Sequence, residues 1–258
     1  MSAASAQEVT KSVTEYLGTL VWDATPRIDR WLVDCASAED SSYVRAASRA
    51  MLVAAVRRAR HPGCRFDQMP ILDGPQGCGK SSALRLLAVE DDWFTDALPR
   101  LDGDVRRIIE ATQGKWIVEA CELESLLQSD DADADADADA DEDDDDDDDA
   151  GGDDGGNGDD GLPPAAALKS FLSRSVDEDR MPYQVERTRV PRQFVVVGTT
   201  AATPYLEDAT GNRRIWPIHV RRFDLVHLAE VRDQLWAEAA VAEITGESID
   251  LAAVAPSA

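Results

Sequence analysis

The fold is decided by the stretch MPILDGPQGCGKSSALRLLA, which covers residues 69–88. The apolar run at 69–73 predicts a strand, and the three leucines near the end of the stretch have the spacing of an amphipathic helix. Between them, Gly74–Ser81 fits the pattern G-x-x-x-x-G-K-[ST]. A strand, a glycine-rich loop and a helix in this order predict a P-loop, in which backbone N–H groups and the helix N-terminus bind phosphate.

The positions of this glycine-rich loop (residues 74–81) have distinct predicted roles. Lys80 is expected to reach the β and γ phosphates of ATP, and the hydroxyl of Ser81 is expected to ligate Mg²⁺. The other cofactor-binding candidates lie in the loop or at the start of the helix and are Gly74, Gln76, Gly77, Cys78, Gly79 and Ser82. The alternative is a glycine-rich turn without a ligand, which the flanking strand and helix disfavour.

A P-loop ATPase also needs an acidic group at the end of another strand, where it holds Mg²⁺ and polarises water. The apolar run 116–119 ends in Glu119, which is therefore the predicted Mg²⁺ ligand. Glu122 is the candidate base, with an equal alternative as a helix N-terminal residue favoured by the helix dipole. Arg213 and Arg214 lie in a predicted turn at the start of a strand. Either guanidinium group could contact the γ phosphate bound by a neighbouring subunit. The alternative is that both belong to an ordinary surface turn.

Apolar runs and helical periodicities alternate after residue 69, which predicts an α/β fold with a parallel sheet between helices. Residues 1–65 are predicted to form a helical region packed on a P-loop ATPase domain at 66–258. The predicted strands are 69–73, 93–97, 116–120, 194–198 and 214–220. The predicted helices are 9–20, 26–31, 39–60, 79–89, 104–112, 122–128, 163–174 and 225–240.

The charge of the chain is concentrated in one segment. The 258 residues include 26 Lys and Arg against 51 Asp and Glu, a net charge of −25. The acidic tract (residues 130–160) holds 18 Asp, one Glu and no basic residue, and the rest of the chain has a net charge of only −6. Because the acidic tract has almost nothing apolar to bury and repels itself, it is predicted to be a disordered insertion within the ATPase domain.

The remaining composition excludes several classes of protein. No apolar run approaches the roughly 18 residues of a membrane-spanning helix, and the first residues lack the apolar core of a signal peptide. A cytoplasmic location is therefore expected. The four cysteines are widely spaced without a Cys-x-x-Cys motif and the three histidines are scattered, which disfavours a disulfide framework and a zinc site.

Several longer segments resemble the virulence-associated protein E family in their order and spacing. They are YLGTLVWDATPRIDRWL, PGCRFDQMPIL, GPQGCGKSSALRLLA, WFTDAL, GKWIVEACELESL, LKSFLSRSVDEDRMPY, PRQFVVVGTT and TGNRRIWPIHV. The resemblance implies a replication module of a phage, plasmid or genomic island. It also implies a P-loop ATPase of the additional-strand, AAA+-like class, similar to superfamily 3 helicases. The implied Walker A residues are Lys80 and Ser81, the Walker B residues Glu119 and Glu122, and the arginine finger Arg213 or Arg214.

The resemblance also implies binding partners, and the chain differs from relatives at one site position. Such ATPases form homo-oligomeric rings on DNA, expected here to be single-stranded, and family members are often fused behind a primase domain, which makes a separate primase a candidate partner. Where relatives usually have a γ-phosphate-sensing Asn, this chain has Ala201. Thr199 or Thr200 could donate a hydrogen bond instead, and Thr200 is counted among the cofactor-binding candidates.

The stretch 161–222 is locally basic, with ten Lys and Arg against six acids. Since a helicase must hold phosphates with cations, the DNA-binding candidates are Lys169, Arg180, Arg187 and Arg189. The alternative is that these cations pair with neighbouring acids. The acidic tract lies beside this stretch, either as a polyanion that competes with DNA for the arginines or as a low-complexity expansion without a role.

The motifs favour an ATP- and Mg²⁺-dependent ATPase, and the resemblance implies a replication ATPase of a mobile genetic element, similar to a DNA helicase or translocase. One alternative is a nucleotide-dependent phosphotransferase, which would be active as a monomer. The other is a degenerate, non-hydrolysing nucleotide-binding interaction protein, which Ala201 would favour.

Overall fold

The computed structural model describes residues 12–101, 105–121, 164–179, 187–201 and 214–249. The helices are α1 (Val13–Thr19), α2 (Trp31–Ala36), α3 (Ser42–Arg60), α4 (Lys80–Ala88), α5 (Val105–Thr112), α6 (Pro164–Ser173) and α7 (Leu225–Ile244). The strands are β1 (Met69–Asp73), β2 (Phe94–Thr95), β3 (Ile117–Ala120), β4 (Val176–Asp179), β5 (Thr188–Pro191), β6 (Val195–Thr200) and β7 (Ile215–His219).

Five strands form one parallel sheet in the order β2-β3-β6-β1-β7. β6 pairs with β3 on one side and with β1 on the other, so it separates the strand before the glycine-rich loop from the strand that ends in Glu119 and Ala120. Because all five strands are parallel, their carboxyl ends meet at one edge of the sheet, here called the carboxyl edge. The predicted α/β class with a parallel sheet is confirmed.

Helices cover both faces of this sheet. On one face, α1, α2, α3, α4 and α7 pack in a single core cluster with side chains of β1, β3, β6 and β7. Trp116 lies at the centre of that cluster, with its ring centroid 4.2 Å from that of Trp236 and its Nε1 donating to Ala55 O. On the other face, α5 and α6 supply Ile108, Leu168 and other apolar residues to a second cluster. The sheet is therefore buried on both sides over its central strands.

The second helix begins later than its sequence pattern predicts. A helix was expected at 26–31, but the structure has a turn at 28–30 and α2 begins at Trp31. The reason lies in α7, because the Glu238 carboxylate accepts hydrogen bonds from the backbone N–H groups of Arg27 and Ile28 and holds this segment against α7. The expectation of a helix there is wrong, since a residue 211 positions away decides the local conformation.

A second, two-stranded sheet was not predicted from the sequence. β4 and β5 pair in antiparallel fashion, with Asp177 opposite Val190 and Glu178 opposite Arg189. Their charged residues give no clear apolar alternation, which is the pattern that identifies a strand. The base of this hairpin is nevertheless closed by a buried ion pair between Asp177 and Arg192.

The predicted helix at 122–128 and the predicted disorder of the acidic tract lie outside the described residues. Among the residues that are described, no helix combines the length and the apolar character that crossing a membrane requires.

Candidate functional site

The glycine-rich loop lies at the carboxyl edge, between the end of β1 and the first turn of α4. Gly77 and Gly79 have φ angles of 76° and 95°, in the left-handed region that a residue without Cβ adopts at little cost. The Lys80 Nζ donates to the carbonyl oxygens of Gly74 at 2.6 Å and Pro75 at 3.0 Å. The lysine ammonium group is thereby held over the loop, where α4 also presents its N-terminal N–H groups.

A buried carboxylate lies directly beside this loop. Glu119, from β3, is 0 % exposed, and its Oε1 accepts hydrogen bonds from Ser81 Oγ at 2.7 Å and from Thr199 Oγ1 at 2.7 Å. Its Oε2 is buried and has no hydrogen-bond partner in the described part of the chain. Helix α4 and strands β3 and β6 thus bring a serine hydroxyl, a carboxylate and a threonine hydroxyl together.

Cys121 completes this polar group from the residue that follows β3. Burial in the first place, and then the neighbouring Glu119 carboxylate, raise the pKa of the Cys121 thiol to about 12. The thiol is therefore protonated at neutral pH and interacts by hydrogen bonding with Glu119 and Thr199.

The donor set at this position fits a hard divalent cation. A carboxylate with one unpartnered oxygen and an adjacent serine hydroxyl are oxygen ligands of the kind that Mg²⁺ prefers. Within the described ranges, no group of three or more His, Cys, Asp or Glu residues could hold a metal by itself. A cation bound here would need further oxygen ligands, which phosphate groups and water commonly supply to Mg²⁺.

The remaining loop candidates occupy different environments. Gln76 and Ser82 are exposed, whereas Cys78 is buried. Thr200 is 2 % exposed at the end of β6, and its carbonyl oxygen accepts the N–H of Gly74. Since successive strand residues alternate between faces, Thr199 shares the face of Glu119 and Thr200 lies on the opposite face. Strand alternation separates the two threonines, but only the pairing of β3 with β6 shows which of them faces Glu119.

Arg214 lies at the opposite edge of the sheet from the glycine-rich loop, just before β7. Its Nε is 3.2 Å from Asp67 Oδ2, and Arg65 contacts the same carboxylate at 3.0 Å. Burial alone would raise the pKa of the Asp67 carboxyl, but the hydrogen bonds from both arginines outweigh it and the net pKa is lowered. Arg214 is thus engaged within its own chain. Arg213 and Glu122, the other two catalytic candidates, lie outside the described residues.

The DNA-binding candidates fall on the hairpin and on α6. Arg187 and Arg189 are about 70 % exposed, and both contact Glu178, at 3.8 Å and 3.1 Å. Lys169 is half-buried in α6, and Arg180 lies outside the described residues. Arg187 and Arg189 are therefore exposed, as a DNA contact requires. They also pair with an acidic residue, which was the alternative interpretation.

The comparisons with known proteins support the resemblance seen in the sequence. A family model described as the virulence-associated protein E-like domain matches residues 17–135 and 164–254. The comparison with curated proteins gives no match.

Three solved apo structures of the NrS-1 C-terminal region are similar to this chain, each at 11 % sequence identity. An A form has a TM-score of 0.53 and covers 87 % of this chain and 47 % of its own. A second structure has a TM-score of 0.53, with 91 % and 49 % covered. Another A form has a TM-score of 0.50, with 87 % and 46 %. This chain spans about half the length of these structures, and at such low identity the likeness concerns the fold alone.

Proposed function

The chain belongs to the virulence-associated protein E-like family, and from that premise we propose that it is an ATP- and Mg²⁺-dependent ATPase that acts on DNA in a replication module of a mobile genetic element. One observation carries this proposal. The Oε1 atom of the buried Glu119 carboxylate accepts a 2.7 Å hydrogen bond from Ser81, the last residue of the glycine-rich loop, while Oε2 has no partner in the described part of the chain. This pairing unites the two motifs that a P-loop ATPase requires.

In this proposal the loop residues bind the phosphates of ATP. The N–H groups at the start of α4 and the Lys80 ammonium group neutralise phosphate charge, while Gly77 and Gly79 allow the backbone to curl around it. Ser81 and Glu119 would hold Mg²⁺, which when bound supplies charge neutralisation and Lewis-acid polarisation of the phosphate oxygens. Glu122 remains the proposed base.

The strand order agrees with the ATPase class that the family resemblance implies. β6 lies between β1 and β3, as the additional strand of that class would. Thr199 from this strand donates its hydroxyl hydrogen to Glu119 and so orients the carboxylate that is proposed to hold Mg²⁺, two residues before the position where Ala201 replaces the usual Asn. This contact favours retained hydrolysis over a degenerate nucleotide-binding protein.

We further propose that the active form is a homo-oligomeric ring on single-stranded DNA, with a separate primase as a candidate partner. The Arg214–Asp67 ion pair makes Arg213 the preferred finger, because Arg214 already has a carboxylate partner in its own chain. The exposed Arg187 and Arg189 are the preferred DNA contacts on the hairpin.

ATP turnover with and without single-stranded DNA tests the function. We expect turnover that DNA stimulates, and its loss in both Lys80→Ala and Glu119→Gln, with ATP binding retained only in Glu119→Gln. Lys115→Ala is the matched control, because Lys115 precedes β3 and lies at the end of the sheet opposite the carboxyl edge. ATP binding without any turnover would favour the non-hydrolysing alternative. DNA-independent turnover by a monomer would favour a phosphotransferase.

A further inference from the structure

The segment that follows β7, residues 220–224, runs along the glycine-rich loop. At its start, the Val220 N–H donates to Asp73 O at 2.7 Å, and a Cβ placed on Gly74 would lie 2.2 Å from Val220 O. At its end, the Phe223 N–H donates to Cys78 O at 2.8 Å, and a Cβ placed on Gly79 would lie 3.2 Å from Phe223 Cβ. The segment therefore contacts the first and the last glycine of the loop.

The other side of this segment is fixed by the N-terminal helices. The Arg221 N–H donates to Ala36 O at 3.1 Å, and the Asp224 N–H donates to Cys35 O at 2.7 Å. Both acceptors belong to the end of α2. Because hydrogen bonds hold the backbone from both sides, the positions of the two residues in the middle, Arg221 and Arg222, are fixed relative to the loop.

The side chains of Arg221 and Arg222 are exposed, and across the described residues neither has a hydrogen bond or an ion pair. The adjacent acid, Asp224, is engaged elsewhere, since its Oδ1 accepts the His227 N–H as the N-cap of α7. Most arginines of the described N-terminal region, by contrast, have carboxylate partners, as in the pairs of Arg27 with Asp23 and of Arg45 with Asp40. Two arginines without an ion-pair partner in the described part of the chain thus belong to a backbone segment that runs beside the predicted phosphate-binding loop.

We propose that Arg221 and Arg222 bind the phosphate chain of the nucleotide from within the same chain, on the flank of the glycine-rich loop formed by the β7–α7 segment. This inference rests on the proposed function, because it requires the loop to bind a nucleoside triphosphate. Guanidinium groups suit this role, since their planar set of N–H donors matches phosphate oxygens and forms strong charge-assisted hydrogen bonds. The arrangement would also link nucleotide binding to α2, whose carbonyl groups hold the same segment.

Titration of a fluorescent ATP analogue in the presence of Mg²⁺ tests this role by binding rather than by activity. The double substitution Arg221→Gln and Arg222→Gln is expected to weaken binding by about tenfold or more, as the loss of charge-assisted hydrogen bonds predicts. The corresponding double change to Lys should restore part of the affinity. Arg107→Gln is the matched control, because Arg107 is exposed on α5 at the other face of the sheet and should leave binding unchanged.

Different outcomes separate this inference from the proposed function. If the unchanged protein and Lys80→Ala bind the analogue equally weakly, the proposed function fails and the inference fails with it. If Lys80→Ala abolishes binding while the double Gln variant binds normally, the inference alone is overturned. Normal ATP binding combined with weaker single-stranded DNA binding in the double Gln variant would also overturn it, in favour of a DNA contact. Thermal unfolding without nucleotide should be the same for the variants of Arg221, Arg222 and Arg107.

Discussion

Thr199 donates a 2.7 Å hydrogen bond to the fully buried carboxylate of Glu119. Glu119 Oε1 accepts this bond and the bond from Ser81, and both fix the orientation of the carboxylate. A hydrogen bond to a charged group contributes roughly 1.5–3 kcal/mol. Loss of the threonine hydroxyl should therefore leave Glu119 less well oriented toward the loop.

We predict that Thr199→Val lowers ATP turnover by about tenfold or more, a barrier increase of roughly 1.4 kcal/mol. Nucleotide affinity should change much less, because the loop and Lys80 are intact. Thr199→Ser keeps the hydroxyl and is expected to retain turnover. Steady-state kinetics that separate kcat from KM provide the measurement. Equal kcat values for the Val and Ser variants would show that Thr199 does not act through Glu119.

Arg214 and Asp67 predict a pH dependence of stability. The pKa of Asp67 is lowered in the folded chain, below the value near 3.9 that is usual for an unfolded chain. The stabilisation is therefore fully present above about pH 4 and is lost as the pH falls through the lower, folded value. Arg214→Gln should reduce stability at pH 7 and reduce the further loss as the pH falls from about 4 through the lower, folded pKa.

Urea unfolding of this variant and of the unchanged protein at several pH values gives the measurement. Arg65 still contacts Asp67 in the variant, so part of the pH dependence should remain. An unchanged unfolding midpoint together with abolished ATP turnover would contradict this interpretation and would identify Arg214 itself as the finger.

Among the elements, the β4–β5 hairpin is closed by a buried ion pair between Asp177 of β4 and Arg192, which directly follows β5. Arg192 and Asp177 are 2 % and 3 % exposed and form two hydrogen bonds of 2.6 Å. The guanidinium group also donates to Phe171 O at 2.6 Å and lies over the Phe171 ring at 4.2 Å. These contacts connect the hairpin to α6 and to the start of β6.

Substitution of either member of this pair should be costly. Removal of one partner from a buried pair typically costs about 3–5 kcal/mol, because the other charge is left buried alone. Asp177→Asn should therefore destabilise the chain strongly. The exposed pair of Arg189 with Glu178 is the control, since Arg189→Gln should cost about 1 kcal/mol or less. Chemical unfolding of both variants tests this contrast, which equal losses would contradict.

The elements that could be predicted from the sequence are those with local patterns. β1, β3 and β6 are short apolar runs bounded by turn residues, and α3 begins at the N-cap Ser41 within three residues of its predicted start. The onset of α2 depends instead on Glu238, 211 residues away, and the hairpin depends on an ion pair between Asp177 and Arg192, 15 residues apart. Local periodicity carries no information about such contacts.

The candidate site divides in the same way. Gly74–Ser81 and Glu119 could be identified because each combines a residue type with a position at a strand end. Thr199 and the segment 220–224 acquire their positions only when β6 and β7 join β1 in the sheet. Their proximity to the glycine-rich loop could not be predicted from their positions in the sequence.

For the whole molecule, the acidic tract is the feature that stands apart from the family. The family match stops at residue 135 and resumes at residue 164, and the interval contains most of the acidic tract. Its 19 acidic side chains account for most of the net charge of −25. An insertion of this kind is expected to add little to the stability of the fold that carries it.

We predict that deletion of residues 130–160 leaves ATP binding unchanged and raises stability slightly. The deletion shortens the connection between β3 and α6 from 43 to 12 residues, which lowers the loop-closure cost by about 1 kcal/mol.

Single-stranded DNA titrations of the deletion variant and the unchanged protein at several salt concentrations then decide the role of the acidic tract. Tighter binding at low salt, with a steeper salt dependence, would show that the acidic tract competes with DNA for arginines. Equal affinity and equal salt dependence would show that it is an expansion without a role in DNA binding, and a large loss of stability would contradict its description as an insertion.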